Sequence, residues 1–321
     1  MSEPTVNKVD GPRGVPTRAI HERQLDPNMI QLQRAAAASH HRGQRVEAAR
    51  VAAALMLAVG GVIVTLTGHG RTAWAIAGFV WFLVSAIPLR QLAVSTARQG
   101  ALLQEMFDTA LFYLPWRSTV AGDPVTDPDV ARLARMLKHG SAKDQRILSG
   151  WYDPTGGVHH PYDVFIAQEQ NLAWDARLRC RYGYLVLASA ILWTSIGVLA
   201  GITIPRTTMA ETVLSFFVPS LAAYQLALEI WQGQQRVAAE RERLATIVAT
   251  ELRNAHAGPI SDAERQRLRA IARDVQDGIL RTRLDVSRVP ERFYKWHRNN
   301  DERDFADTAE GHRRRLAGSG R

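Results

Sequence analysis

The polar side chains best spaced for chemistry lie in one stretch: Gln168, Asn171, Asp175, Arg179 and Tyr182, separated by 3, 4, 4 and 3 residues. A helix turning about 100° per residue carries all of them within roughly 80°, as a single polar stripe. Two roles suit such a stripe. Arg179 could face a phosphate while Tyr182 or the neighbouring Trp174 stacks on a base, which would make it a ligand-sensing or gating contact. Alternatively, Asp175 pairs with Arg179 at i,i+4 and the amides satisfy nearby backbone, a structural network without a ligand. Helix spacing leaves both open.

Catalytic chemistry finds little support. The chain has no phosphate-cradling glycine loop, no nucleophile elbow and no paired histidines at metal-binding helical spacing, so no catalytic residue, metal or cofactor is expected. His159 and His160 with Asp163 could be forced into a metal site, but adjacent histidines in a loop of prolines and glycines are expected to be solvated. His40 and His41 read the same way. The single cysteine, Cys180, excludes an internal disulfide and is expected to fill space as a thiol.

The frame that must hold the stripe is a membrane one. Charged residues make up 22% of the 321-residue chain, yet four runs, 51–67, 72–89, 185–204 and 209–228, contain only Glu211 among them. Each run approaches the ~20 apolar residues needed to cross about 30 Å of hydrocarbon. Connectors at 68–71 and 205–208 are short enough to force two antiparallel hairpins. A long polar stretch before the first run, and a second run close behind it, argue against a cleaved signal. Arg42, Arg45, Arg50, Arg90, Arg98, Arg177, Arg179, Arg181, Arg236, Arg241 and Arg243 flank one side, against Arg71 and Arg206 on the other. This bias predicts a multi-pass protein of the bacterial inner membrane with both termini in the cytoplasm. The expected fold class is therefore an all-α integral membrane protein, with four transmembrane helices in two hairpins and cytoplasmic helical regions.

Along the chain, residues 1–28 read as a flexible tail rich in proline, 29–89 as a juxtamembrane helix and the first hairpin, and 90–181 as a cytoplasmic helical segment. Residues 182–231 form the second hairpin, 232–305 cytoplasmic C-terminal helices, and 306–321 a disordered basic tail with Arg313, Arg314 and Arg315. Asp127 caps a helix with Pro128 at its first position, Ser141 opens another that Gly150 closes, and a third starts near Asp163 and runs into the third span. Ile230, Val237, Leu244 and Val248 mark one face of a long charged helix that either pairs with another helix or lies on the bundle. Ser261 and Glu264 form a capping box for a helix whose Leu268, Ile271, Val275 and Ile279 share a face.

The spans hold no charge at mid-depth, which argues against a proton-coupled pump. Gly197 and Gly201 form a GxxxG pair, Ala54 and Ala58 a small-xxx-small pair, and Pro219 is placed to kink the fourth span; these serve helix packing and, equally, a homo-oligomeric pore. Glu229, at the cytoplasmic end of the fourth span, is placed for a pore mouth. The net charge of +9 lies in the segments flanking the runs and suits attraction to the lipid bilayer better than DNA binding.

Phe107, Asp108, then Leu114, Pro115, Trp116, then Trp151, Tyr152, then Gln168, Asn171, Trp174, Asp175, Leu178, Arg179 and Tyr182 resemble the SMODS-associated four-transmembrane effectors. So do Val275, Gln276, Asp277, Ile279, Arg281, Arg283, Val289, Pro290, Tyr294, Arg298 and Glu302. The match runs from about Ile30 to Asp304, but Ala167 and Glu169 stand where that family carries a cysteine and an arginine. The resemblance implies a pore-forming or membrane-disrupting effector of CBASS antiphage defence and abortive infection. In that scheme a nucleotidyltransferase makes a cyclic oligonucleotide that triggers permeabilisation of the inner membrane. A regulated ion channel or transporter, or a membrane scaffold built on the 232–256 helix, are the alternatives.

Overall fold

The computed structural model describes residues 14–67, 71–203, 210, 213, 217–256, 258, 260–285, 289–290, 293 and 310–316. The helices are α1 (Ile20–Arg23), α2 (Pro27–Thr67), α3 (Arg71–Val84), α4 (Arg90–Phe112), α5 (Ser118–Ala121), α6 (Asp127–Met136) and α7 (Ala142–Ser149), followed by α8 (Tyr162–Thr203), α9 (Val218–Asn254) and α10 (Asp262–Asp285). Residues 310–316 are also helical, and no strand occurs among the described residues. Pro88 has no N–H to give, and around it the chain widens into a π turn, Ser85–Leu89, that carries α3 into α4.

Local signals set most helix ends. Ser141 Oγ accepts the Asp144 N–H at 3.2 Å and Gly150 ends α7 at φ 91°, while Ser261 Oγ accepts the Glu264 N–H at 3.2 Å ahead of α10. At α6 the cap is Thr126 rather than Asp127, so Pro128 falls one residue deeper. Its missing N–H is harmless there, because the first turn has no intrahelical acceptor for it.

The chain divides into two compact units: Met1–His41 with Thr96–Leu178 and Val237–Arg321, and Arg42–Ser95 with Arg179–Arg236. In the first, Leu103, Phe107, Leu111 and Phe112 of α4 meet Val164, Phe165 and Leu172 of α8, Leu244, Val248 and Leu252 of α9, and Leu268, Val275 and Ile279 of α10. The apolar face of α9 thus lies on the bundle instead of waiting for a partner helix. A Cβ on Gly278 would stand 2.7 Å from Leu244 Cδ1, so glycine permits the approach of α10 to α9.

The described parts of both tails, 14–28 and 310–316, depart from the expectation. Ile20 is fully buried, and Gln24 ties down the loop after α7, its Oε1 accepting the Trp151 and Tyr152 N–H groups at 2.7 and 2.8 Å. A segment rich in proline still orders once an apolar residue reaches the core. At the other end Leu316 is buried in the same core and Arg315 donates to the Leu252 carbonyl. The basic run therefore carries a docked helix: a cation beside the exposed carbonyls ending α9 is favourable.

In the second unit, α2 and α3 meet where Trp74 donates to the Leu57 carbonyl at 3.1 Å, and a Cβ on Gly60 would lie 2.1 Å from its ring. On α8 and α9, Trp193 donates to Ser220 Oγ at 2.9 Å and Thr194 Oγ1 lies 3.1 Å from the Tyr224 hydroxyl. Large apolar side chains face outward, among them Met56, Val59, Ile76, Leu192 and Leu199. Among the described residues, two helices, at Pro27–Ile63 and Tyr162–Thr203, are long and apolar enough to cross a membrane. Residues 68–70 of the first connector, the whole of the second (205–208) and much of the fourth run lie outside the described residues. Ala58 and Gly197 are buried, whereas Ala54 and Gly201 are half-buried. Pro219 is the second described residue of α9, following helical Phe217, and its side chain lies outside the described residues.

Candidate functional site

The polar stripe sits on one continuous helix, α8, but its members have partners of their own. Gln168, fully buried, donates to the Ala272 carbonyl at 2.8 Å and to Gln276 Oε1 at 3.3 Å. Asn171 Oδ1 accepts from Trp151 Nε1 at 3.3 Å and its Nδ2 donates to the Tyr152 hydroxyl at 2.6 Å. Asp175 pairs with Arg241 Nε at 3.0 Å, and Arg241 also donates to the Asn171 carbonyl at 3.2 Å. These contacts belong to the first unit. In the second, buried Arg179 donates to Gln234 Oε1 at 2.7 Å, Cys180 Sγ lies 3.2 Å from Gln235 Oε1, and Tyr182 is half-buried. The Trp174 side chain lies outside the described residues. Glu229 is exposed and accepts from Gln225 at 3.0 Å.

Gln168 and Asn171 lead into a larger feature. Glu105 and Asp108 interrupt the apolar face of α4, and α10 answers with Arg273, Gln276, Asp277 and Arg283. Arg273 Nη2 meets Glu105 Oε1 at 2.7 Å and also Asp277, and its Nη1 donates to the Pro115 carbonyl at 3.2 Å. Gln276 donates to Glu105 Oε2 at 2.8 Å and to Asp108 at 3.2 Å. Arg283 Nη1 lies 2.7 Å from Asp108 Oδ2. Tyr152 donates its hydroxyl to Asp108 Oδ1 at 2.8 Å, and Arg117 reaches Asp277 at 2.7 Å from the rim.

Glu105 and Asp108 are each 1% exposed, so arginines and not water face their carboxylates; burial pushes the Glu105 carboxyl up, with Arg273 and Arg283 offsetting it in part. Burial, then the Asp108 carboxylate, pushes the Tyr152 hydroxyl well above its ordinary 10, so it stays a neutral donor. Burial pulls the Arg283 guanidinium down, but Asp108 and Glu105 outweigh it and leave a firmly charged group. Reading the residues singly passes over this network. The available signal was an acidic pair at i,i+3 on a face otherwise made of Leu103, Phe107 and Leu111.

The histidines do not converge. His160 is buried with its Nδ1 3.0 Å from Asp163 Oδ1, where solvation was expected, because Asp163 at the start of α8 draws it inward; His159 is exposed. Among the described residues no group of three or more His, Cys, Asp or Glu could hold a metal.

Residues 18–312 match the family model of the SMODS-associating 4TM effector domain. The chain belongs to that family. Its effector role and membrane character come with membership. A protein of Bacillus cereus strain VD146, described as a probable CBASS effector molecule, is 20% identical to this 4TM effector over 289 residues, covering 88% of this chain and 94% of that one. No solved structure matches the 4TM effector.

Proposed function

We propose that this 4TM effector acts in CBASS antiphage defence by permeabilising the bacterial inner membrane when a cyclic oligonucleotide made by a nucleotidyltransferase appears. The observation that carries the reading is the division of the chain: polar segments from three parts of the sequence share one core around buried charge, while the apolar runs fall in a second unit with outward-facing apolar side chains. The first is built to recognise and the second to sit in lipid. In this reading four helices cross the membrane as two hairpins with both termini cytoplasmic, and copies assemble through Ala54, Ala58, Gly197 and Gly201. Glu229 lies at the pore mouth. Gln168, Asn171, Trp174 and Asp175 take part in sensing, and Arg179 and Tyr182 in gating.

Dye release from liposomes containing the purified protein, before and after adding cyclic di- and trinucleotides, tests this. Release with one nucleotide, lost in Arg179→Ala while the variant stays folded and inserted, is expected. Silence with verified insertion and every nucleotide overturns it in favour of a scaffold or of a channel too narrow for dye.

A further inference from the structure

Arg23 carries a charge that the first unit buries and answers only with Asp163 and Tyr113. It is 6% exposed, and Nε, Nη1 and Nη2 all lack a hydrogen-bond partner. Asp163 Oδ2 lies 4.0 Å from Nη2, beyond hydrogen-bond reach. The flat face of the guanidinium is covered by the Tyr113 ring, 4.6 Å from its centroid, which leaves the N–H edges as the unused part. Tyr113 itself holds a left-handed φ of 56°, and Arg269 Nη2 grips its carbonyl at 2.7 Å. Burial lowers the pKa of Arg23, with Asp163 and Tyr113 offsetting it in part. A guanidinium stripped of water and answered only by a carboxylate at 4.0 Å and by Tyr113 is unfavourably placed, so its N–H edges can take a further acceptor.

Other orphaned polar atoms lie on the loop that packs against α1. His160 is 6% exposed and Thr155 3%, and neither His160 Nε2 nor Thr155 Oγ1 has a partner. Arg23 and His160 flank opposite oxygens of one carboxylate, since His160 Nδ1 and the Val164 N–H both use Asp163 Oδ1. The loop carrying Thr155 and His160 is held against α1 by Gln24, next in sequence to Arg23, whose Nε2 donates to the Tyr152 carbonyl at 2.9 Å. His21, on the same short helix, lies 3.9 Å from where a Cβ on Gly156 would stand and has an unpartnered Nδ1. A guanidinium edge and a hydroxyl donate to a tetrahedral oxyanion, with arginine supplying paired N–H bonds; His160, whose Nδ1 gives its hydrogen to Asp163, adds a donor at Nε2 in its imidazolium form.

We propose that Arg23, Thr155 and His160 form a binding site for a phosphate group. A nucleotide phosphate, inorganic phosphate and a lipid headgroup share this chemistry. That the nucleotide supplies it rests on the function proposed above; that the site binds phosphate does not.

The test is calorimetric titration of the full-length protein in detergent with inorganic phosphate at constant ionic strength. Parallel arms use cyclic di- and trinucleotides, and phosphatidylglycerol against phosphatidylcholine nanodiscs. Saturable phosphate binding by wild type is expected, weakened roughly tenfold or more in Arg23→Gln and less in Thr155→Val. No saturable binding in any arm, or equal affinity in Arg23→Gln, overturns the site. Should Arg23→Gln fail to fold, Thr155→Val and His160→Gln decide, and unchanged affinity in both overturns it. Binding of inorganic phosphate without any nucleotide upholds the site while removing the nucleotide from the proposed function.

Discussion

The two units bury and expose opposite things. The first hides Glu105, Asp108, Arg273 and Asp277 in its interior and matches each carboxylate with a guanidinium; the second turns Met56, Leu192 and Leu199 outward and holds its helices with a few indole and hydroxyl bonds and one buried guanidinium, Arg179, on Gln234. The contrast follows from two solvents. In water, apolar burial drives folding, and polar groups trapped inside must be answered one by one. In hydrocarbon, apolar side chains gain nothing by leaving the surface, so close packing and interhelical hydrogen bonds do the work.

The largest expected effect falls on the first unit. Arg273→Met leaves Glu105 buried beside too little positive charge and should destabilise by about 3–5 kcal/mol in denaturant unfolding of the full chain. Arg243→Met, removing an exposed pair with Glu240, should change nothing measurable. Equal effects would break the distinction between answered and solvated charge. Next comes Leu192→Arg, 63% exposed in wild type. If that surface faces lipid, the substitution costs about 2.5–3.5 kcal/mol of insertion and shifts the protein toward the alkaline-extractable fraction; unchanged extraction would place the surface in water.

A smaller, graded effect concerns Asp144, which accepts from Arg34 Nε at 2.7 Å and the Gly140 N–H at 2.9 Å. The Arg34 hydrogen bond, then that from Gly140, hold its carboxyl below the ordinary 3.8. A folded pKa below the unfolded one contributes stability present above 3.8 and lost as pH falls through the folded value. The stability gap between wild type and Asp144→Asn should therefore be widest near neutrality and close in acid; a gap constant with pH would assign it to packing. The smallest effect is expected in the second unit: Ser220→Ala removes one acceptor from Trp193 and should cost about 0.6 kcal/mol. A loss several times larger would mean that the unit depends on polar bonds as the first does.

Much of the fold was legible because its signals are local. Ser141 with Gly150, and Ser261 with Glu264, mark helix ends within a few residues of themselves, and the apolar runs announce their helices by composition. Of the buried network only the acidic pair on the apolar face of α4 was legible, since Arg273 lies 168 residues from Glu105 and is one charge among many on α10. The docking of residues 310–316 and of Ile20 escaped for the same reason: a single buried apolar residue fixes a segment whose average composition reads as disordered.

The stripe on α8 marks the boundary between the two kinds of knowledge. By itself the sequence determined that Gln168, Asn171, Asp175, Arg179 and Tyr182 would share one helix face, because a 3.6-residue period fixes faces. Only the tertiary structure decided that Asp175 would meet Arg241, that Arg179 would meet Gln234, and that Gln168 would disappear into the contact with α10. Helical spacing offers every polar residue a neighbour at i+4; which partner it takes depends on the helices that burial brings alongside.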